Sequence, residues 1–275
     1  MPFFQPRQNQ KPGPEKNLAP GWALITGASE GMGCEFAKRF AQDHHPLILV
    51  ARNETRLNEL AGQLRATYGV DVKVIAMDLG LQDSTEKLRE ELERHGMPVG
   101  ILINNAGFGI HGLFHEESWP DLESMLNLNM LTLTHLTHLL LPAMVEKKHG
   151  KILNVASTAA FQPGPFMACY FATKAYVLSF TEALSEELAG TGVTVTAFCP
   201  GPTRTRFQER SGTVHTRENY FSMEAATAVD AAYRGLMKGQ RLVIPGFWNK
   251  VLAFLVRLAP RKTVTKVARF IESSR

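Results

Sequence analysis

The chain has 275 residues, of which 44% are hydrophobic and 20% charged, and its formal net charge is +4. This length suits one α/β domain with a large buried core and is short for two independent catalytic domains. The composition excludes a disordered chain. The small positive charge, without a basic stripe or a zinc-finger pattern, argues against nucleic acid as a partner.

Three cysteines, Cys34, Cys169 and Cys199, lie far apart and form neither a CxxC pair nor a disulfide framework. We interpret them as small buried hydrophobes in a reducing, cytoplasmic compartment, and we expect no metal site. Residues 1–20 are rich in Pro, Gln and Lys and lack the apolar segment of a signal peptide, so we predict a disordered lead-in. No apolar run approaches the ~18–20 residues that a membrane span needs.

From residue 21 to residue 246, short apolar runs alternate with longer amphipathic stretches. The predicted strands are 22–27, 46–52, 72–79, 100–107, 151–157, 194–201 and 241–246, and the predicted helices are 32–42, 54–68, 82–95, 119–148, 166–190 and 222–239. The strands are apolar on both faces, which is typical of a parallel sheet covered on both sides. We therefore predict a single-domain α/β fold with a doubly wound, seven-stranded parallel sheet of the Rossmann type.

Two stretches fall outside this alternation. Residues 204–220 are polar and irregular, and a loop of that length is usually functional, so we expect a substrate lid there. Residues 247–275 mix large apolar side chains with Lys and Arg and form a basic amphipathic tail. Such a tail can lie on an anionic membrane, pack on a partner subunit or cover the pocket.

A glycine-rich loop joins the first predicted strand to the first helix. Glycines allow a tight turn and a close backbone approach, and the N–H groups at the start of the helix face a bound pyrophosphate. The spacing is Gly-x-x-x-Gly-x-Gly, and a plain turn is the simpler alternative. The candidate cofactor-binding residues of this loop are Gly27, Ser29, Glu30, Gly31, Met32 and Gly33.

The end of the second strand indicates the choice of cofactor. An NAD site usually carries an acidic residue there, which binds the ribose 2′-hydroxyl. This chain has Ala51 followed by Arg52, whose guanidinium suits a 2′-phosphate. We therefore predict NADP(H) rather than NAD(H), although Glu30 in the glycine loop places an acidic group nearby and Arg52 could simply be solvated.

Tyr170 and Lys174 lie four residues apart in a predicted helix and so share one face. A nearby ammonium lowers the pKa of a phenol, which lets Tyr170 donate a proton to a carbonyl oxygen or accept one from an alcohol. Ser157 ends a strand at the edge where ligands bind in such sheets. Asn129 lies in an apolar stretch of the long helix and needs partners there, either a bound water leading to Lys174 or a simple structural hydrogen bond.

In this order, the glycine loop, Asn104-Asn105-Ala106-Gly107, Asn129, Ser157, Tyr170-x-x-x-Lys174 and Pro200-Gly201 resemble the compact single-domain branch of the short-chain dehydrogenase/reductase family. The match extends from about residue 22 to residue 205. Within that family the chain is similar to bacterial NADP-dependent reductases related to 3-oxoacyl-CoA and steroid reductases. The resemblance implies hydride transfer between NADP(H) and a carbonyl or alcohol substrate.

The resemblance also implies a role for each matching position. Tyr170 would be the acid/base, Lys174 would bind the nicotinamide ribose and tune Tyr170, Ser157 would orient the carbonyl, and Asn129 would hold a relay water. The remaining positions implied to bind the cofactor are Asp78 and Leu79 at the adenine, Asn105, Ala106 and Gly107 at the adenosine ribose, and Pro200, Gly201, Thr203 and Thr205 at the nicotinamide. Family members usually pair through the long helix, which implies a homodimer or homotetramer.

The residues expected to face the substrate are apolar, which indicates a hydrophobic ketone or a 3-oxoacyl compound, with ordinary core packing as the alternative. They are Phe108, Phe161, Phe166, Met167 and Phe207. Three other functions remain open at this point: an NADP(H)-binding regulator without turnover, an NAD(H)-dependent alcohol dehydrogenase, and a membrane-peripheral scaffold that uses the tail. The intact Ser-Tyr-Lys set argues against the regulator.

Overall fold

The computed structural model describes residues 21–214, 216 and 222–273. The predicted lead-in and part of the predicted lid lie outside these residues. Seven parallel strands form one sheet in the order β3-β2-β1-β4-β5-β6-β9, which confirms the predicted doubly wound fold. They are β1 (Trp22–Thr26), β2 (Leu47–Ala51), β3 (Val72–Ala76), β4 (Val99–Asn104), β5 (Gly150–Val155), β6 (Val193–Phe198) and β9 (Leu242–Val243), while β7 (Thr203–Arg204) pairs separately with β8 (Met223–Glu224).

Helices cover both faces of the sheet. They are α1 (Gly31–Gln42), α2 (Glu54–Tyr68), α3 (Ser84–Arg94), α4 (Trp119–Leu126), α5 (Leu133–Glu146), α6 (Ala168–Glu187), α7 (Phe207–Ser211), α8 (Ala225–Met237), α9 (Phe247–Leu258) and α10 (Arg261–Glu272). Several predicted strands end one to three residues too late, because ladder pairing stops where the chain leaves the sheet to form the loops of the site.

Alternate residues of each strand pack into opposite layers, because successive side chains of a strand point to opposite faces. Ile25 and Leu49 pack against α1, α2 and α8, whereas Leu24 and Ile48 pack against α3 and α5. All four are fully buried. These two layers explain why the strands are apolar on both faces, which is the pattern that predicted a covered parallel sheet.

The predicted helix 119–148 is a continuous helical segment that changes its winding. Between α4 and α5, a π-helical segment spans Asn127–Thr132, with Asn129 at its centre. Single π turns within α-helices occur frequently at functional sites. By length and composition alone, the segment Trp119–Glu146 is long and apolar enough to cross a membrane. This differs from our prediction that no apolar run approaches the length of a membrane span. Its buried polar side chains, Asn129 and Thr137, bind other parts of the fold, and 28% of its apolar window is buried.

A chain of buried polar side chains connects the two central strands to the helices that cover them. Asn104 on β4 donates to Thr137 on α5 (3.0 Å) and to the side-chain carbonyl of Asn154 on β5 (2.9 Å). Asn154 in turn donates to Thr181 on α6 (3.0 Å). Each of these side chains is at most 4% exposed. The chain therefore fixes α5 and α6 relative to the strands whose ends form the site.

Replacing Asn154 tests this connection. Asn154→Ala removes one buried hydrogen-bond partner from Asn104 and one from Thr181, so the free energy of unfolding should fall by about 2 kcal/mol or more. The matched change Asn58→Ala, at an exposed position of α2, should alter it by less than about 0.5 kcal/mol. Urea unfolding followed by circular dichroism measures both values. Equal stability of the two variants would contradict the account.

Candidate active site

The glycine loop after β1 requires glycine for steric reasons. Gly27 and Gly31 have φ angles of +66° and +56°, in the left-handed region that glycine favours. A Cβ at Gly33 would overlap the carbonyl oxygen of Gly27. Asn105, after β4, donates to the carbonyl oxygen of Thr26 (2.8 Å) and holds the loop in this shape.

A cleft adjoins this loop at the start of α1, and its walls match a dinucleotide. A Cβ at Gly31 would come within 3.4 Å of Thr205, on the opposite wall. A Cβ at Gly107 would approach Oδ1 of Asn129 to 2.8 Å and Nζ of Lys174 to 3.7 Å. These glycines therefore keep open the space beside the helix N-terminus and the lysine, and that space fits the pyrophosphate and the nicotinamide ribose of a dinucleotide.

Two arginines lie near the end of β2, and their environments differ. The Arg52 side chain is 69% exposed, with its Nη1 3.7 Å from a carboxylate oxygen of Asp78. Arg56 contacts Glu30 in the glycine loop at 2.8 Å, and Arg210 on α7 contacts the same carboxylate at 2.5 Å. Glu30 is therefore paired with two cations, which offsets its repulsion of a nearby phosphate and links α7 to the glycine loop.

The end of β3 is also held by hydrogen bonds. Asp78 accepts from the backbone N–H of Gly80 (2.9 Å). The Leu79 side chain is buried, and its carbonyl oxygen accepts from the hydroxyls of Ser84 (3.0 Å) and Thr132 (2.8 Å). The Leu79 side chain therefore packs in the core, and the contacts of Asp78 and Leu79 with the adenine stay a prediction.

The predicted catalytic residues meet where β5 ends beside α6. Lys174 donates to the carbonyl oxygen of Val155 (2.8 Å), and its Nζ lies 5.7 Å from the centre of the Tyr170 ring. Both side chains face the same cavity, as their spacing on one helix predicts. The Ser157 hydroxyl oxygen accepts from the Ala159 N–H (3.1 Å), which leaves the hydroxyl hydrogen to be donated.

Burial shifts the ionisation of two groups here. It disfavours the charged ammonium and lowers the pKa of Lys174 from its ordinary value of 10.5 to about 8. It also raises the pKa of Cys199 to about 12, so that the thiol stays protonated and is a poor nucleophile. Lys174 is thus the cation that this site holds at neutral pH.

Asn129, in the π-helical segment, is 1% exposed and is held by protein groups. Its side-chain oxygen accepts from the N–H of Phe108 (3.1 Å), and its amide nitrogen donates to the carbonyl of Phe108 (2.9 Å) and to Thr173 (3.1 Å). These hydrogen bonds satisfy the buried side chain of Asn129, as the structural alternative from the sequence predicts. The relay water implied by the resemblance stays a prediction.

The loop after β6 is pinned by its own polar groups. Thr203 donates to the carbonyl of Gly201 (2.9 Å), and Gln208 donates to the carbonyl of Thr203 (2.6 Å). The Thr205 hydroxyl oxygen accepts from the N–H of Phe207 (3.1 Å). These contacts order the predicted nicotinamide-binding segment and carry it into α7, within the predicted lid.

A cavity of about 220 Å³ lies between these loops, and the residues expected to face a substrate divide around it. Met167 and Phe207 line the cavity, and Phe108 packs in the same cluster as Tyr170. Phe161 packs instead into a separate core cluster. Phe166 has a φ of +68° and stacks on His111 beside a neighbouring cavity. For Phe161 the structure favours the alternative of ordinary core packing, and Phe166 lies at the neighbouring cavity, because apolar character alone does not fix the direction of a side chain.

The C-terminal tail supplies part of the cavity wall, which is one of the three alternatives that the sequence left open. Pro260 separates α9 from α10, and both helices fold back towards the site. The carbonyl oxygen of Glu272 lies 2.8 Å from Nε2 of His111 and holds α10 in place. The tail residues that line the cavity are Asn249, Leu252, Ala253, Ile271 and Glu272.

The model of the short-chain dehydrogenase family matches residues 21–215. The very-long-chain 3-oxoacyl-CoA reductase of Anas platyrhynchos is 35% identical over 191 residues, which cover 66% of this chain and 61% of that relative. This chain therefore matches less than two thirds of the length of that relative.

Two solved structures are similar over more of the chain. A short-chain dehydrogenase from Sphingobium yanoikuyae in complex with NADPH is 35% identical, with a TM-score of 0.77, over 86% of this chain and 94% of that one. A 7beta-hydroxysteroid dehydrogenase is 28% identical, with a TM-score of 0.82, over 90% of this chain and 96% of that one. The chain belongs to the short-chain dehydrogenase/reductase family of oxidoreductases, which confirms the resemblance drawn from its motifs.

The lowered pKa of Lys174 predicts a dependence of stability on pH. Between about pH 8 and pH 10.5 the folded protein loses a proton that the unfolded chain retains, so raising the pH favours the folded state. The free energy of unfolding of the wild type should therefore rise relative to that of Lys174→Met, by on the order of 2 kcal/mol between pH 7 and pH 10. Urea titrations at both pH values measure the difference. A difference that stays constant would show that Lys174 is not shifted.

Proposed function

We propose that the protein is an NADP(H)-dependent oxidoreductase that interconverts a hydrophobic carbonyl compound and its alcohol. The observation that carries the proposal is the joint placement of Ser157, Tyr170 and Lys174 on one cavity, beside a cleft that fits a dinucleotide. Each residue has a distinct chemical role at that position, and a binding protein without turnover would not need all three.

NADP(H), when bound, supplies or accepts the hydride. The glycine loop and the N-terminus of α1 would hold its pyrophosphate, and Lys174 would donate to the ribose hydroxyls next to the nicotinamide. The exposed Arg52 is positioned at the end of β2, where the adenosine ribose binds in this fold. The absence of a carboxylate at Ala51 and the pairing of Glu30 with two arginines both favour a 2′-phosphate.

The protein's own residues would supply the proton and the orientation. Ser157 donates a hydrogen bond to the substrate oxygen, and Tyr170 gives that oxygen its proton during reduction. The Lys174 ammonium, held by the carbonyl of Val155, stabilises the phenolate that remains. In the oxidative direction the same groups remove the proton from the alcohol.

The cavity wall favours an apolar substrate. Met167, Phe207, Leu252 and Ile271 present aliphatic and aromatic surface around the polar groups. Few polar groups on a mostly apolar wall are typical of sites that bind large hydrophobic ligands. The relatives named for 3-oxoacyl-CoA and hydroxysteroid substrates support a 3-oxoacyl thioester or a bulky ring ketone as the substrate class.

Removing one oxygen atom tests the proton donor. Tyr170→Phe should lower kcat for NADPH-dependent ketone reduction by about 10²–10⁴-fold, while the Kd for NADPH changes by less than about threefold. The assay follows loss of nicotinamide absorbance with hydrophobic ketones, 3-oxoacyl thioesters and steroids. Tyr176→Phe is the matched control, since Tyr176 lies on the same helix with its hydroxyl 2.9 Å from the hydroxyl of Thr134, and it should keep its rate. A Tyr170→Phe variant that retains most of its activity would refute this role.

The cofactor preference rests on Arg52. Arg52→Ala should raise the Kd for NADPH about tenfold or more and leave the Kd for NADH unchanged, because only NADPH carries the 2′-phosphate. Arg94→Ala removes an equally exposed arginine from α3 and should affect neither cofactor. Fluorescence titration of the wild type and both variants with both cofactors measures the six dissociation constants. A wild type that binds NADH more tightly than NADPH would overturn the preference.

A further inference from the structure

Helix α9 turns its apolar side chains towards solvent. Its only buried residue is Ala253, whereas a helix on a globular protein normally faces the core with its apolar stripe. At 100° per residue, six exposed apolar residues fall within one arc of about 160°. They are Phe247, Trp248, Leu252, Phe254, Leu255 and Leu258, each between 49% and 72% exposed.

Basic residues flank this arc and extend over the next helix. Lys250 and Arg257 lie together along one edge of the arc, and both are exposed. Helix α10 adds Val267 and Phe270, which are 52% and 63% exposed, and four exposed basic residues, Arg261, Lys262, Lys266 and Arg269. Residues 247–273 contain a single carboxylate, Glu272, which is only 4% exposed. We call the exposed residues of α9 and α10 the tail surface.

The charge of the tail surface decides whether a second copy of the chain or a lipid bilayer docks on it. If a second copy of the chain docked through the same face, six basic side chains would oppose six others with almost no exposed carboxylate between them. An anionic bilayer offers negative headgroups to the basic edge and an acyl boundary to the apolar arc. Exposed Trp and Phe at the arc are also typical of helices that lie in the membrane interface.

We infer that the tail surface docks on an anionic lipid bilayer, with α9 lying in the plane of the interface and its apolar arc directed into it. Leu252 and Ile271 belong both to this surface and to the wall of the cavity that holds Tyr170. The cavity is therefore bordered by the docked face. On the basis of the proposed function, a hydrophobic carbonyl substrate would reach Tyr170 from the bilayer.

Vesicle flotation of the full chain tests the docking without any need for turnover. The wild type should float with phosphatidylcholine vesicles that contain phosphatidylserine, and at least about tenfold less with phosphatidylcholine alone. Trp248→Glu should reduce flotation at least about tenfold, because it removes apolar area that the bilayer would bury and adds a negative charge. Trp119→Glu makes the same change at a residue that is 62% exposed but lies outside the tail surface, and it should float like the wild type.

Further variants separate the docking from the catalysis and from self-association. Lys250→Glu/Arg257→Glu should lose flotation with the anionic vesicles, whereas Tyr170→Phe should keep it even though it lacks activity. Unchanged NADPH binding and an unchanged melting temperature verify that each variant is folded. Two results would overturn the inference: a wild type that stays at the bottom of the gradient, or sedimentation velocity without lipid that shows a dimer of the wild type and a monomer of Trp248→Glu.

Discussion

The site depends on the buried chain of hydrogen bonds that runs from Thr137 through Asn104 and Asn154 to Thr181. Thr137 lies eight residues after Asn129 on one helical segment, and Thr181 lies seven residues after Lys174 on another. Each spacing corresponds to about two helical turns, so fixing the threonine also fixes the functional residue. Because a partly satisfied buried polar network is costly, both helices have one favourable position on the sheet.

The proposed chemistry depends on a buried ammonium, which also weakens the fold. Lys174 is 6% exposed, and its protein partner in the site is the neutral carbonyl of Val155 rather than a carboxylate. In the proposed mechanism, an acidic partner would neutralise the charge that stabilises the Tyr170 phenolate. A neutral acceptor leaves that charge available, and burial then lowers the pKa of the lysine. The same burial that destabilises the ammonium strengthens its interaction with the phenolate, since both lie away from water.

Local sequence predicted the features that depend on spacing along one element. The strand–glycine–helix pattern at residues 26–33 and the pairing of Tyr170 with Lys174 are of this kind, as is the doubly wound parallel sheet implied by alternating strands and helices. Sequence did not predict contacts made between distant elements. The pairing of Glu30 with Arg210, the choice among the three alternatives for the tail and the packing of Phe161 into a separate core cluster all depend on tertiary packing. The π-helical winding around Asn129 gives no periodic signal.

The most direct test of the central claim is the transfer of deuterium to the product from NADPH that carries deuterium at both C4 positions. A ketone or 3-oxoacyl thioester that is turned over should yield an alcohol one mass unit heavier, with the label on the carbinol carbon, because the hydride passes straight from the nicotinamide to that carbon in the cavity of Ser157 and Tyr170. An alcohol that forms without the label, or a protein that binds NADPH tightly and labels no compound in the panel, would contradict the account.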